Sequence, residues 1–215
     1  MLGEILPNIQ GRASVWLARK AAADADSLLY DLFSGAATLW QKESFSSYNH
    51  HERSCTVRLY AFCRQVILAE RYKYAQVKLY YEAAQPSQEM LDGLADPLAA
   101  PIPDLTLEVG GVEIRLEAKV LRGDRSFARL YVTQGMARFL DGRYGQPGVP
   151  GLMVGYLQSG DVPVLVDWIN SALVSLARNP QESLTSQAST HPRVFVHHSQ
   201  HAPDSRLIHK WIDLR

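Results

Sequence analysis

Two carboxylates, Asp104 and Glu117, and one ammonium group, Lys119, lie toward the two ends of the segment PIPDLTLEVGGVEIRLEAKVL, residues 101 to 121. The paired glycines in the middle predict a two-residue hairpin turn, because glycine takes positive φ without a steric cost. Counting outward from that turn sets Asp104 opposite Glu117, with Cβ atoms about 5 Å apart, and makes Lys119 a diagonal neighbour of both. The hairpin therefore predicts one polar cluster.

Facing carboxylates repel each other unless a proton or a cation lies between them. Mg²⁺ prefers hard oxygen ligands and leaves its other positions to water and phosphate oxygens, so Asp104 and Glu117 are candidate metal ligands. Lys119 beside them could orient a water molecule or neutralise charge in a phosphoryl transition state. The alternative is an ordinary solvated hairpin face, because Glu108 and Glu113 form another like-charge pair near the turn.

The same register gives the hairpin one apolar and one polar face, as expected of a half-buried ribbon. The apolar face holds the predicted pairs Val109 with Val112, Leu107 with Ile114, and Leu105 with Leu116.

The residues PD at 103 to 104, followed by EAK at 117 to 119 on a second strand, resemble the PD-(D/E)XK motif of the restriction-endonuclease-like phosphodiesterase superfamily. The segments HERSCTVRL, YVTQGMARFLDGRYG and GLMVGYLQSGD resemble the small nucleases of this superfamily that act as effectors in bacterial anti-phage defence. The resemblance spans roughly residues 50 to 160. It implies a hydrolase that cuts phosphodiester bonds, in DNA rather than RNA, with Mg²⁺ or alternatively Mn²⁺.

The resemblance also implies an acid on the helix before the hairpin and polar side chains on the helix after it. Glu52 and Glu70 are the two candidates for the acid, about 27 Å apart along one helix, so only one of them can reach the metal. The segment ERSCT at a helix start favours Glu52. After the hairpin, Tyr131, Gln134 and Arg138 fall at i, i+3 and i+7, a polar stripe that would contact the phosphate backbone, although a packing role is open for Tyr131.

The rest of the chain predicts the elements that hold this cluster. The pattern indicates one or two helices over 13 to 40 with Gly35 as a stop, and a long helix from Glu52 to about Glu82. A loop over 84 to 103, the hairpin, a helix over 126 to 140 and an apolar strand over 151 to 157 follow. The last part predicts a helix capped by Asp161, a loop over 179 to 193, and two strands. The buried face of that helix is predicted to hold Val164, Leu165, Trp168, Ile169, Leu173 and Leu176.

This order predicts a mixed α/β fold, with a restriction-endonuclease-like central sheet flanked by helices on both faces. We expect a single domain, in which residues 1 to 50 form a helical extension packed on a core of residues 51 to 215. Residues 1 to 30 contain no secretory apolar run, and Cys55 and Cys63 are spaced two helical turns apart, which favours a reducing, cytoplasmic location.

Lys and Arg together number 22, as do Asp and Glu, so the formal net charge is zero. A protein that holds nucleic acid by bulk charge alone is therefore excluded, and we expect its affinity to come from homodimerisation or from a protein partner. His197, His198 and His201 do not predict a zinc site, because neighbouring strand residues point to opposite faces. The remaining alternative is a catalytically silent member of the same fold that serves as a binding or assembly subunit.

Overall fold

The structure is a computed structural model and describes residues 15–43, 51–84, 88–92, 94, 96, 100, 102–144, 148–176, 182–201 and 205–215. It is an α/β protein with a seven-stranded mixed open sheet and four principal helices in this part of the chain. One of those helices is a composite of two α-helical segments joined by a π-helical turn. None of the described helices combines the length and apolar character needed to cross a bilayer.

The helices are α1 Val15–Lys42, α2 Glu52–Ala69, the short α3 Gln88–Leu91, α4 Arg125–Leu130, the π-turn Tyr131–Met136, α5 Ala137–Leu140 and α6 Val162–Ser175. The strands are β1 Val77–Tyr81, β2 Leu105–Val109, β3 Val112–Leu121, β4 Gly151–Leu157, β5 Thr185–Gln187, β6 Val194–His201 and β7 Ser205–Asp213.

The sheet has the strand order β1-β2-β3-β4-β7-β6-β5. The β3–β4 and β4–β7 pairs are parallel, and the other four pairs are antiparallel. Each parallel pair needs a crossover. The composite helix α4–α5 makes the first crossover, and α6 lies within the second.

Apolar side chains cover both faces of the sheet. One cluster joins α1 and α2 to alternate residues of the strands, including Leu59 of α2 and Leu116 of β3. The other joins the composite helix and α6 to the opposite residues, including Met153 of β4 and Trp211 of β7. The predicted sheet with helices on both faces is therefore confirmed.

The predicted hairpin is confirmed with its register. Gly110 and Gly111 both have positive φ, +57° and +82°, and form the turn. Val109 pairs with Val112, and the ladder ends at the pair Leu105 and Leu116. The predicted apolar pairs and the pair Glu108 with Glu113 are all present.

The prediction of one helix from Glu52 to Glu82 is wrong. Helix α2 ends at Ala69, and residues 77 to 81 form β1, which pairs antiparallel with β2. The sequence VKLYY is rich in β-branched and aromatic residues, which favour strands, and the hydrogen-bonding edge of β2 gives them a partner. The predicted loop over 179 to 193 likewise contains the edge strand β5.

Two helix predictions also need correction. Gly35 does not end a helix; it lies inside α1, where a side chain would bring its Cβ atom within 3.0 Å of Val66 on α2, so glycine allows the two helices to pack closely. Asp161 precedes α6 at the N-cap position but makes no side-chain capping hydrogen bond. On α6, Val164 and Leu176 are exposed instead of buried.

Candidate functional site

The candidate site lies where β2 stops pairing with β3. The ladder ends at Leu116, while β3 continues to Leu121, so the backbone N–H groups of its last half lack a strand partner on this side. Carboxylates take the place of that strand. Asp104 Oδ2 accepts from the N–H of Ala118 at 2.7 Å, and Glu52 Oε2 accepts from the N–H of Val120 at 3.2 Å. The polar cluster therefore forms at a gap in the sheet.

Glu52 reaches this gap because it begins the buried stripe of α2. Cys55, Thr56 and Leu59 pack on the sheet, and Glu52 lies one turn before them. Of the two candidate acids, the structure therefore brings Glu52 into the cluster. Glu70 lies just beyond the other end of α2, where it is exposed and 3.6 Å from Lys73.

Lys119 lies in the centre of the cluster. Its Nζ donates to Glu52 Oε1 at 2.8 Å, to Glu117 Oε1 at 2.9 Å and to the carbonyl oxygen of Ala118 at 2.8 Å. An ammonium group has three protons, so each has an acceptor. Burial alone would lower the pKa of Lys119, but the charges and hydrogen bonds of Glu117 and Glu52 outweigh burial and raise it.

Glu117 is the most deeply buried acid of the cluster, with a side chain that is 1% exposed. Its Oε2 has no hydrogen-bond partner among the described residues. Burial, followed by the charge of Asp104, raises the pKa of Glu117 to about 7. The pKa of Asp104 is also raised, mainly by burial and against the hydrogen bond from Ala118. The positive charges nearby therefore compensate the two carboxylates only in part.

Arg138 borders the cluster on the solvent side. Arg138 Nε lies 3.3 Å from Glu117 Oε1, and its Nη1 donates to the hydroxyl of Tyr144 at 2.6 Å. Tyr144 in turn donates to the carbonyl oxygen of Ile102 at 2.8 Å, two residues before Asp104. Gln134 is exposed. Tyr144 therefore links the composite helix to the start of β2, a link that no sequence signal predicted.

Tyr131 does not lie on the predicted polar stripe, and the packing role left open for it is the one that the structure shows. Its side chain is fully buried, and its hydroxyl is 2.9 Å from His209 Nδ1 and accepts from Trp211 Nε1 at 3.1 Å. The physical reason is the π-turn, which turns through a smaller angle per residue than an α-helix and so separates Tyr131 from Gln134 and Arg138 around the axis. Tyr131 anchors the turn in the core.

The π-turn also brings Gly135 down onto Lys119. A Cβ atom at Gly135 would lie 3.2 Å from Lys119 Cγ and 2.6 Å from Met153 Cε. Only a glycine fits at this contact without displacement of its neighbours. The side chain of Lys119 therefore packs against the helix at Gly135. This contact directs its ammonium group toward the carboxylates. The sequence contained Gly135 but no sign that the helix widens there.

The donor set is consistent with a hard cation. Asp104 and Glu117 supply oxygen atoms only, both have raised pKa values, and Glu117 Oε2 lacks a partner among the described residues. Oxygen donors of this kind are what Mg²⁺ prefers. Within the described residues, however, no three His, Cys, Asp or Glu side chains form a ready-made metal site, and Lys119 lies between Glu52 and Glu117.

The histidines and cysteines have other surroundings. His209 and His201 are buried on the strands β7 and β6, and Ser199 Oγ lies 2.8 Å from each of them. His201 also lies 2.7 Å from Glu182. Cys55 and Cys63 are buried and form no disulfide bond, as their spacing predicted. The two histidines, Ser199 and Glu182 form a buried network of hydrogen bonds and not an open site.

Comparisons of this chain with models of protein families, with curated proteins and with solved structures found no match.

Proposed function

We propose that this protein is a metal-dependent nuclease of the restriction-endonuclease-like type, and that it hydrolyses phosphodiester bonds in DNA. The observation that carries the proposal is the convergence of Asp104, Glu117, Lys119 and Glu52 at the open edge of β3. The sequence motif supplies three of these residues, and the tertiary fold brings the fourth from a separate helix. Part of the cluster reaches solvent, because the side chain of Glu52 is 39% exposed.

Asp104 and Glu117 would hold Mg²⁺ or Mn²⁺, with Glu52 as a further ligand. When bound, such an ion supplies Lewis-acid stabilisation of a phosphoryl group and lowers the pKa of water. Lys119 would orient the attacking water with a proton that Glu52 or Glu117 releases when its oxygen binds the metal, because all three protons have acceptors in this structure. Arg138 would bind a non-bridging phosphate oxygen. Gln134 is exposed and lies four residues before Arg138, and it would contact the same phosphate backbone.

A role as the effector of a bacterial anti-phage system rests on the sequence resemblance alone. It agrees with the formal net charge of zero, because a nuclease without a general affinity for DNA depends on a partner or on a second copy for delivery to its substrate.

A catalytically silent subunit is the second candidate, and a specific observation favours it. Lys119 forms ion pairs with both Glu52 and Glu117, while Asp104 and Glu52 replace a missing strand as backbone acceptors. In this case the cluster would stabilise the sheet edge, and the surface would bind nucleic acid or protein without cleavage.

The test is cleavage of supercoiled plasmid, linear duplex DNA, single-stranded DNA and RNA, each with Mg²⁺, Mn²⁺ or EDTA. We expect cleavage with either metal and none with EDTA. Asp104→Asn and Lys119→Ala should each reduce the rate by about a thousandfold, which is in the range for loss of a group acting in the transition state.

Glu113→Gln is the matched control, because Glu113 belongs to the other like-charge pair of the same hairpin. Its rate should stay within about twofold of the unmodified protein, because Glu113 lies near the turn, four residues before Glu117. Binding of DNA without cleavage under every metal condition would instead establish the silent subunit.

A further inference from the structure

A second charged cluster lies on the opposite face of the sheet, where α1 packs against β6 and β7. It borders a cavity of about 370 Å³ whose lining includes Asp26, Tyr30, Gln187, Thr190 and Lys210. The volume falls in the ordinary range for small-molecule sites, which is about 300 to 1,000 Å³. This cavity is separate from the candidate nuclease site, whose Glu117 and Lys119 project from the other face.

Lys210 is buried, and the described part of the chain offers its ammonium group few acceptors. Its side chain is 1% exposed, and among the described residues its Nζ has Asp26 Oδ1, at 3.3 Å, as its hydrogen-bond acceptor. The ring of Tyr30 lies 5.2 Å from Nζ and adds a weak attraction. Burial lowers the pKa of Lys210, and Asp26 offsets only part of that effect. A buried ammonium group with unsatisfied protons is costly unless another acceptor is supplied.

Asp26 is shared among several positive or polar groups. Arg206 Nη2 lies 3.2 Å from Asp26 Oδ2, and His198 Nε2 lies 3.6 Å from the same oxygen. Burial would raise the pKa of Asp26, but the hydrogen bond of His198 and the charge of Lys210 outweigh it and lower the value to about 2. One carboxylate therefore faces the two cations Lys210 and Arg206, and a surplus positive charge remains.

The cavity wall is held in place by hydrogen bonds and carries further donors. The hydroxyl oxygen of Tyr30 accepts from the backbone N–H groups of Thr190 and His191, both at 2.8 Å, which fixes the ring beside the cavity. Ser27 and Thr190 contribute hydroxyl groups and Gln187 an amide. The wall thus combines an aromatic surface with neutral hydrogen-bond donors.

We propose that this cavity binds a small phosphorylated molecule of nucleotide size, with its anionic group facing Lys210 and its body against the ring of Tyr30. A phosphate group offers several acceptor oxygens and at least one negative charge, which is what the unsatisfied ammonium group lacks. Such binding is independent of the proposed nuclease function, because Lys119 and Lys210 project from opposite faces of the sheet, on strands that β4 separates.

The test is isothermal titration of the full chain with AMP, adenosine, inorganic phosphate and citrate, in EDTA so that a bound metal at the other site does not contribute. We expect AMP to bind at least about tenfold more tightly than adenosine, because one charged contact in a buried site is worth that much. Equal binding of AMP and adenosine, or no binding of AMP at millimolar concentration, would overturn the proposal. Citrate that binds as tightly as AMP would overturn the assignment to phosphate.

Two variants place the ligand in this cavity. Lys210→Met removes the ammonium group, and Ser27→Leu fills the cavity from an exposed position on α1, which folding should tolerate. Each should weaken AMP binding at least about tenfold. Lys78→Met is the matched control, because Lys78 lies on the edge strand β1 with a side chain that is 64% exposed, and it should leave binding unchanged. AMP binding that survives both Lys210→Met and Ser27→Leu would show that the ligand binds elsewhere.

Discussion

Lys119 and Lys210 are both buried on strands of one sheet, yet their surroundings are opposite. Lys119 has three close acceptors, two of them carboxylates, and its pKa is raised. Lys210 has one carboxylate at 3.3 Å, and its pKa is lowered. The acids beside the two lysines also differ. The pKa of Glu117 is raised to about 7, and that of Asp26 is lowered to about 2.

The difference shows that burial alone does not indicate which ligand a buried charged residue could bind. Around Lys119 the carboxylates are in excess, and the region can accept a further cation. Around Lys210 the cations are in excess, and the region can accept an anion. The balance of donors and acceptors, rather than the depth of burial, therefore indicates which ligand each site would bind.

The largest expected effect is that of Lys119→Met, and Lys210→Met is its counterpart in the second cluster. Lys119→Met should lower the free energy of unfolding at pH 7 by about 3 to 5 kcal/mol, because it leaves buried carboxylates without their counter-ion. Lys210→Met should change it by less than about 1 kcal/mol, because Asp26 keeps Arg206 and His198 and the apolar side chain is easily buried. Urea unfolding at pH 7 measures both.

Lys78→Met serves again as the exposed control in this series and should stay within about 0.5 kcal/mol of the unmodified protein. Equal losses of unfolding free energy for Lys119→Met and Lys210→Met would contradict the contrast between the two clusters.

The second prediction concerns the pH dependence of stability at Glu117. Its folded pKa, about 7, lies above its ordinary value of 4.5, so the folded state holds the proton more tightly. The resulting stabilisation is complete below pH 4.5 and is lost as the pH rises through 7. Relative to Glu117→Gln, the unmodified protein should therefore lose about 3 kcal/mol of unfolding free energy over that interval. Chemical denaturation across this pH range gives the difference.

Asp26→Asn provides the opposite case. The folded pKa of Asp26, about 2, lies below its ordinary value of 3.8, so its stabilisation is present above pH 3.8 and is lost as the pH falls through 2. The unmodified protein should lose about 2 kcal/mol relative to Asp26→Asn in that acid interval, again measured by chemical denaturation. The same direction of pH dependence at both positions would contradict the comparison.

The most local of the predictions concerns Gly135→Ala. The added methyl group would meet the stem of Lys119 at 3.2 Å and Met153 Cε at 2.6 Å, so it should cost about 1 to 3 kcal/mol by overpacking. It should also displace the ammonium group of Lys119, which nuclear magnetic resonance of labelled lysine side chains would detect as a change in the Lys119 signal.

A second substitution separates the two contacts of Gly135. In Gly135→Ala with Met153→Val, the shorter side chain removes the contact with Met153, so stability should recover while the Lys119 signal stays displaced. Recovery of both the stability and the Lys119 signal would show that the contact with Met153, and not the contact with Lys119, causes the effects of Gly135→Ala.

The hairpin was predictable because its information is local. Two adjacent glycines fix the turn, and strict alternation then fixes every pair from Val109 to Leu105. The same counting predicted Asp104 opposite Glu117, but the ladder ends one pair earlier, and Asp104 accepts instead from the N–H of Ala118. Glu52 could be chosen over Glu70 from the resemblance, and the buried stripe of α2 provides the physical reason for its position.

Other features could not be predicted in this way because distant residues decide them. The segment of β1 continued the helical pattern of α2 and became a strand because the edge of β2 was available to it. Tyr131 left its predicted stripe because His209 and Trp211 form hydrogen bonds with its hydroxyl in the core and the helix widens into a π-turn. Both errors come from assuming that a periodic pattern continues unchanged.

By itself, the sequence determined the hairpin register, the mixed α/β class and the three polar residues that the hairpin aligns, because turn chemistry and alternation act between near neighbours. Only the tertiary structure decided that β2 ends early, that Glu52 fills the gap, that Gly135 packs on Lys119 and that Lys210 lies beside a cavity, 3.3 Å from Asp26. These are matters of packing between residues far apart in the chain, and their energies depend on which acceptors the completed fold brings within hydrogen-bonding distance.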